Sequence, residues 1–302
     1  MFKHLIVPLD GSRLSESVMP TVIHLAQKLH AAVTLVHVIE KNAPVTIHGE
    51  PHLSRSEEAE HYLDDVERRF FPANLGLRVD KHVHKTAITD VAGSIAEHAR
   101  EFKSDLVVMC THGRSGMRKL LFGSIAQQVV SAKVSPVLLI RPTEGGTAAF
   151  LSGRPFLVPL DGTAAREQAL TIAASLAAAC GVDLKLLMVV PTLQTLSGVE
   201  TTSRILLPAT TQELLSFASE DAKAYVRQQL ATLEGNGAQV TAEIRRGDLA
   251  EVIVTEAHRL GVDMIIVATL GRVGLNAFWS SSLTPRVTER THLALLLVPV
   301  QA

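Results

Sequence analysis

The sequence predicts an α/β protein of two tandem doubly wound domains, each a five-stranded parallel sheet with helices on both faces. Three observations predict it. Short strand-like runs alternate with helix-length amphipathic segments, the strand-like runs are apolar throughout, and the whole pattern occurs twice. Short, uniformly apolar runs suit strands covered on both faces, and strand–helix alternation implies right-handed crossovers.

The repeat comes first. FKHLIVPLDGS, from Phe2 to Ser12, returns as FLVPLDGT, from Phe156 to Thr163. Pro8 answers to Pro159, Asp10 to Asp161 and Val38 to Val189, all at one offset of 151 residues. Further on, Asp90 pairs with Asp248, Asp105 with Asp263 and Gly113 with Gly271, now 158 residues apart. The second half therefore carries seven extra residues, best placed within 191–212. Gly145-Gly146 and their small polar neighbours, running to about Arg154, read as a flexible linker. The chain divides into residues 1–146 and 147–302.

Within the first half, strands are expected over 5–9, 33–39, 77–84, 106–110 and 137–140. One helix carries Val18, Val22, Leu25, Ala26 and Leu29 on a single face, and others are expected over 56–70, 90–102 and 124–132. Pro20 predicts a kink or a late start in the first of these.

Composition narrows the function. Of 302 residues 47% are apolar and 20% charged, with 29 basic against 30 acidic, so a large core is available and nothing favours nucleic acid as a partner. No apolar run approaches the ~20 residues of a membrane span, and the opening MFKHLIVPLDGS lacks the layout of a secretion signal. Two cysteines, Cys110 and Cys180, make no disulfide framework, and a cytoplasmic setting is expected.

In a doubly wound sheet, ligands bind beyond the carboxyl ends of the strands, where strand order reverses. That singles out Asp10-Gly11-Ser12 after the first strand and the stretch from Cys110 to Ser124 after the fourth. The latter is a glycine-containing loop feeding a helix. Main-chain N–H groups of Gly123, Ser124 and Ile125 would face a phosphate, with Gly113 and Gly123 allowing close approach. Asp10 can accept bonds from ribose hydroxyls or hold a metal beside the phosphates; alternatively it caps the first helix or closes a turn with Gly11.

The opening HLIVPLDGS, the second strand VTLVHV and above all THGRSGMRKLLFGSIAQQVV before PVLLI resemble the universal stress protein family. The family's ATP signature is Gly, two residues, Gly, nine residues, Gly, then Ser or Thr. Gly113, Gly123 and Ser124 match it, while Cys110 stands where the first glycine belongs. The resemblance spans both halves and implies Rossmann-like, adenine-nucleotide alpha-hydrolase-like domains. It implies nucleotide contacts at Pro8, Asp10, Val38, Met109, Cys110, Gly113, Gly123, Ser124 and Ile125, with the Val38 main chain against adenine and Asp10 at the ribose.

In the second half Asp161, Val189, Gly271 and Ser282 fall on the corresponding positions. Ala268 and Ser281 replace two of the signature glycines, however, so that site reads as eroded. The expected ligand is ATP with magnesium, bound mainly by the first half. The resemblance further implies that the halves pair through their last strands as an intramolecular pseudo-dimer, with room for a homodimer of the whole chain.

No nucleophile and base share a motif, and no phosphate loop ending in Gly-Lys-Ser/Thr occurs, so a binding protein is expected in place of an enzyme. Two alternatives stand beside an ATP-binding stress regulator: a nucleotide-free interaction protein of the same family, and a binder of another small ligand in the second half. His82 and His84, two apart on a strand, face one side and could share a metal, although packing histidines are commoner and no metal site is assigned.

Overall fold

The computed structural model describes residues 2–111, 123–142, 151–160, 162, 167–192, 194–195, 208–270 and 283–300. In the first half, strands β1 (His4–Pro8), β2 (Ala32–Glu40), β5 (Val79–Ile88), β6 (Leu106–Cys110) and β7 (Val137–Ile140) enclose a hairpin of β3 (Thr46–Ile47) and β4 (Glu50–Pro51). Its helices are α1 (Arg13–Glu16), α2 (Met19–Leu29), α3 (Ser56–Phe70), α4 (Val91–Glu101) and α5 (Ser124–Ala132). The second half has β8 (Phe156–Leu160), β9 (Leu184–Val190), β10 (Val240–Arg246), β11 (Met264–Leu270) and β12 (Ala294–Val300). Its helices are α6 (Glu167–Cys180), α7 (Pro208–Thr232), α8 (Leu249–Leu260) and α9 (Leu283–Thr288).

The large strands form one ten-stranded sheet in the order β10-β9-β8-β11-β12-β7-β6-β1-β2-β5. Each half contributes five parallel strands in the same order. The halves meet where β12 runs antiparallel to β7, with Leu295 opposite Leu139 and Leu297 opposite Val137. Strand alternation sends Leu5 and Val7 to one face and Ile6 to the other, and each face carries a core drawn from both halves. One core packs under α2, α3 and α6, the other under α4, α5 and α8.

The two outer strands are built differently from the rest. β5 and β10 have mostly half-buried or exposed residues and carry Lys81, Lys85, Arg245 and Arg246. Charges along an outer strand discourage pairing with another chain. Among the described residues no helix is long and apolar enough to cross a membrane.

The repeated aspartates prove to be structural. Asp90 and Asp248 cap α4 and α8, accepting from Gly93 N at 2.8 Å and Glu251 N at 3.0 Å. Asp105 accepts from the main-chain N–H groups of Lys3 and His4, at 2.7 and 3.0 Å. Asp263 repeats this at the start of β8, accepting from Ser152 N (2.6 Å), Ser152 Oγ (2.8 Å) and Arg154 N (2.9 Å). These bonds correct the linker expectation. Residues 151–154 are tied down, with Leu151 buried in the core, and 143–150 lie outside the described residues.

Pro20 gives the late start: α2 begins at Met19 with proline in its first turn, where its missing N–H costs nothing, and the separate short helix α1 precedes it.

Two consequences are measurable. Asp263→Ala removes the buried carboxylate that accepts from the N–H groups of Ser152 and Arg154, and a hydrogen bond to a charged group contributes roughly 1.5–3 kcal/mol. Urea unfolding should show that loss, while Arg78→Ala, which removes an exposed ion pair to Asp80, should move the midpoint little.

Secondly, burial holds the imidazoles of His24, His37, His52 and His82 below their ordinary pKa. As pH falls through about 6.5, the unfolded chain takes up protons that the folded chain resists, so stability should fall with it. Melting temperatures measured from pH 7.5 to 5.5 should decline, and less steeply in a His37→Gln variant.

Candidate functional site

The order of strands in the first half reverses at β1: β2 and β5 lie on one side, β6 and β7 on the other. A cleft opens there at the carboxyl ends of the strands, with about 870 Å³ of space including its open mouth. Pro8, Asp10, Val38, Met109, Cys110, Gly123, Ser124 and Ile125 all line it. These are the expected first-half positions that the structure describes. Gly113, Asp161, Gly271 and Ser282 lie outside the described residues.

Strand lengths create the opening. β1 pairs with β2 up to Pro8 opposite Val36, and Leu9 N donates to Val36 O at 2.8 Å. β2 continues to Glu40 beside β5, with Val38 opposite His84. Because successive carbonyls alternate sides along a strand, the Val38 main chain points the same way as that of Val36, past the end of β1 and towards the cleft. An exposed donor–acceptor edge of this kind suits the rim of a planar heterocycle.

Asp10 divides its carboxylate. Oδ1 accepts from Ser12 N at 3.0 Å and Ser12 Oγ at 2.6 Å, forming the turn that starts α1. The cap of that helix is Ser12, whose hydroxyl accepts from Ser15 N. Oδ2 lies 4.0 Å from His48 Nε2. The turn-closing reading and the site reading of Asp10 thus apply to different oxygens. Gly11 has φ +91°, and a Cβ there would come within 2.9 Å of Leu53, so this turn requires glycine.

At the opposite lip, α5 begins at Ser124. Helix geometry leaves the N–H groups of Ser124, Ile125 and Ala126 without intrahelical acceptors, and the helix dipole favours negative charge there. One expectation about Gly123 needs correction. Its N–H does not face the cleft but donates to Thr111 O at 3.2 Å. Its φ of −58° is open to any residue, so the absence of a side chain, which allows close approach, is what distinguishes the glycine.

Cys110 is partly exposed on the cleft wall, with its sulfur 4.0 Å from the Ser17 hydroxyl. Cys180 is buried, and burial raises its thiol pKa to about 11.

Several lining residues went unread in the sequence, including Leu14, Ser15, His37 and Ile47. His48 and His52 also line the cleft, where the sequence showed only part of a histidine-rich stretch. His37 Nδ1 lies 2.8 Å from Leu9 O, and His52 Nδ1 is buried without a hydrogen-bond partner among the described residues. Both imidazoles are pushed down by burial, against the opposing pull of Asp10. The hairpin that brings in Ile47 and His48 had a readable signal. His48 and Gly49 have φ +51° and +84°, the two positive angles of a tight hairpin turn.

In the second half, Val189 lies half-buried on β9 and Ala268 on β11. Arg286 of α9 grips Asp248 through both carboxylate oxygens, at 2.8 and 2.7 Å.

A model of the universal stress protein family matches residues 1–141 and 153–299. The universal stress protein MJ0531 of Methanocaldococcus jannaschii is 27% identical over 147 residues, covering 47% of this chain and 83% of its own length. The universal stress protein YxiE of Bacillus subtilis is 26% identical over 151 residues, covering 47% of this chain and 100% of its own. Each relative thus corresponds to about half of the chain. Across the whole chain, a universal stress protein from Archaeoglobus fulgidus superposes with a TM-score of 0.67 at 18% identity, covering 98% of each. A functionally unknown protein from Pseudomonas aeruginosa reaches 0.68 at 13% identity, covering 99% of this chain and 93% of that one. With a family match in each half, laid over two five-stranded half-sheets of the same strand order, the chain belongs to the universal stress protein family.

Proposed function

We propose that the chain is a non-catalytic, ATP-binding stress-response regulator of the cytoplasm, with nucleotide held mainly by residues 1–146. The observation that carries this reading is the convergence of eight expected contact positions on one cleft at the strand-order reversal. The Val38 edge supplies adenine recognition, Asp10 Oδ2 the ribose or a magnesium ion, and the start of α5 the phosphates.

The two halves work as an intramolecular pseudo-dimer joined at β7 and β12, and the second serves chiefly as structural support. Arg286, committed to Asp248, favours that division.

The competing reading is a nucleotide-free interaction protein of the same family. Cys110 in place of the signature's first glycine favours it. Titration with ATP and magnesium, beside identification of any nucleotide released on denaturing the purified protein, separates the two. Because alanine fits the backbone at position 123, Gly123→Ala should fold normally and weaken ATP by at least about tenfold, equivalent to ~1.4 kcal/mol. Saturation at one ATP per chain, lost in the variant, supports the regulator. No binding at millimolar ATP leaves the interaction protein as the better account.

A further inference from the structure

Away from the cleft, on the face of β5 that packs against α4, three imidazoles meet. His82 and His84 lie two apart on the strand, His98 comes from α4, and one ring nitrogen of each lies within 4.8 Å of the other two. We propose that they form a binding site for a divalent transition metal with a preference for nitrogen ligands, zinc being the best fit.

The donor set and its surroundings point the same way. His84 Nδ1 and His98 Nε2 share a hydrogen bond of 3.0 Å, which a metal would replace at the roughly 3.3 Å that separates two nitrogens on a tetrahedral zinc with ~2.0–2.1 Å bonds. His82 Nε2 is buried and has no hydrogen-bond partner among the described residues. A metal would satisfy it.

Glu101 Oε2 sits 2.9 Å from His98 Nδ1, one turn along α4. A carboxylate there holds the proton on Nδ1 and leaves the Nε2 lone pair for a metal, the arrangement that orients histidine ligands elsewhere.

Lys81 and Lys85 line the same surface cavity as the trio, where ion pairs take up their charge, Lys81 with Asp64 and Glu67 and Lys85 with Glu60. Phe102 stacks on the His98 ring, with centroids 5.4 Å apart, and meets His82 edge-on. The fourth coordination position faces a surface cavity that the three histidines help to line, and it would take water or an external ligand. This site does not depend on nucleotide binding, since none of the three histidines lines the cleft.

Cobalt(II) is the probe, because its visible absorption reports tetrahedral nitrogen coordination. The full chain, stripped by chelator, should bind one cobalt per chain saturably, and zinc should displace it. His82→Gln and His98→Gln should each abolish the signal while retaining the far-ultraviolet circular dichroism of the parent. Glu101→Gln should keep the spectrum and weaken affinity by about 10–100-fold. Exposed His61 lies on α3, and His61→Gln should change nothing. A cobalt signal that survives in both ligand variants, or no saturable signal with cobalt in large excess, would overturn the proposal and leave the trio as a packed aromatic cluster.

Discussion

Everything at the cleft depends on β1 being short. It ends its pairing at Pro8, while β2 runs four residues beyond the point opposite it, to Glu40. A pair of equal strands would satisfy the Val38 main chain internally and leave no opening. The early stop comes from the sequence that follows, since Asp10, Gly11 and Ser12 turn the chain through a left-handed glycine into α1. That turn is then fixed from outside, because Glu16 of α1 is buried under a two-pronged bond from Arg69 of α3, both contacts at 2.8 Å. The cleft is thus a by-product of how the first crossover begins.

The seam between the halves follows a different logic. β7 and β12 are the most apolar strands of their halves, and left unpaired they would template association with other chains. Pairing them antiparallel buries both, and it moves the free edges of the sheet to β5 and β10, the two strands rich in charge. Arg141, just past β7, reinforces the seam by donating to Thr288 O at 3.0 Å. An edge problem that each half would face alone is solved once for the whole chain.

Much of this was legible because burial and capping leave local marks. The helices expected over 56–70 and 124–132 appear with those bounds, and the collinear aspartates marked equivalent positions before their bonds were known. What escaped was set by contacts distant in sequence. Nothing local announces that residues 151–154 will be held by Asp263, more than a hundred positions away. The third strand was placed over 77–84 and in fact runs from Val79 to Ile88, because its exposed outer position lets it carry lysines and a threonine that dilute the apolar signal. Gly123 was read as a donor to a phosphate, whereas its N–H is taken by Thr111 O across a loop that no local pattern announces.

The cleft and the histidine trio share two elements, which gives their separation a mechanical meaning. β5 pairs along β2, so His84 lies directly beside Val38, the residue whose main chain faces the cleft. Helix α4 lines the cleft with Val91 and Ile95 near its start and carries His98 and Glu101 towards its end. A rigid helix transmits a tilt from one end to the other, and its cap on Asp90 fixes only the cleft end. A movement of His98 towards β5 would therefore be felt at Val91 and Ile95 on the cleft wall, although the two sites share no residue.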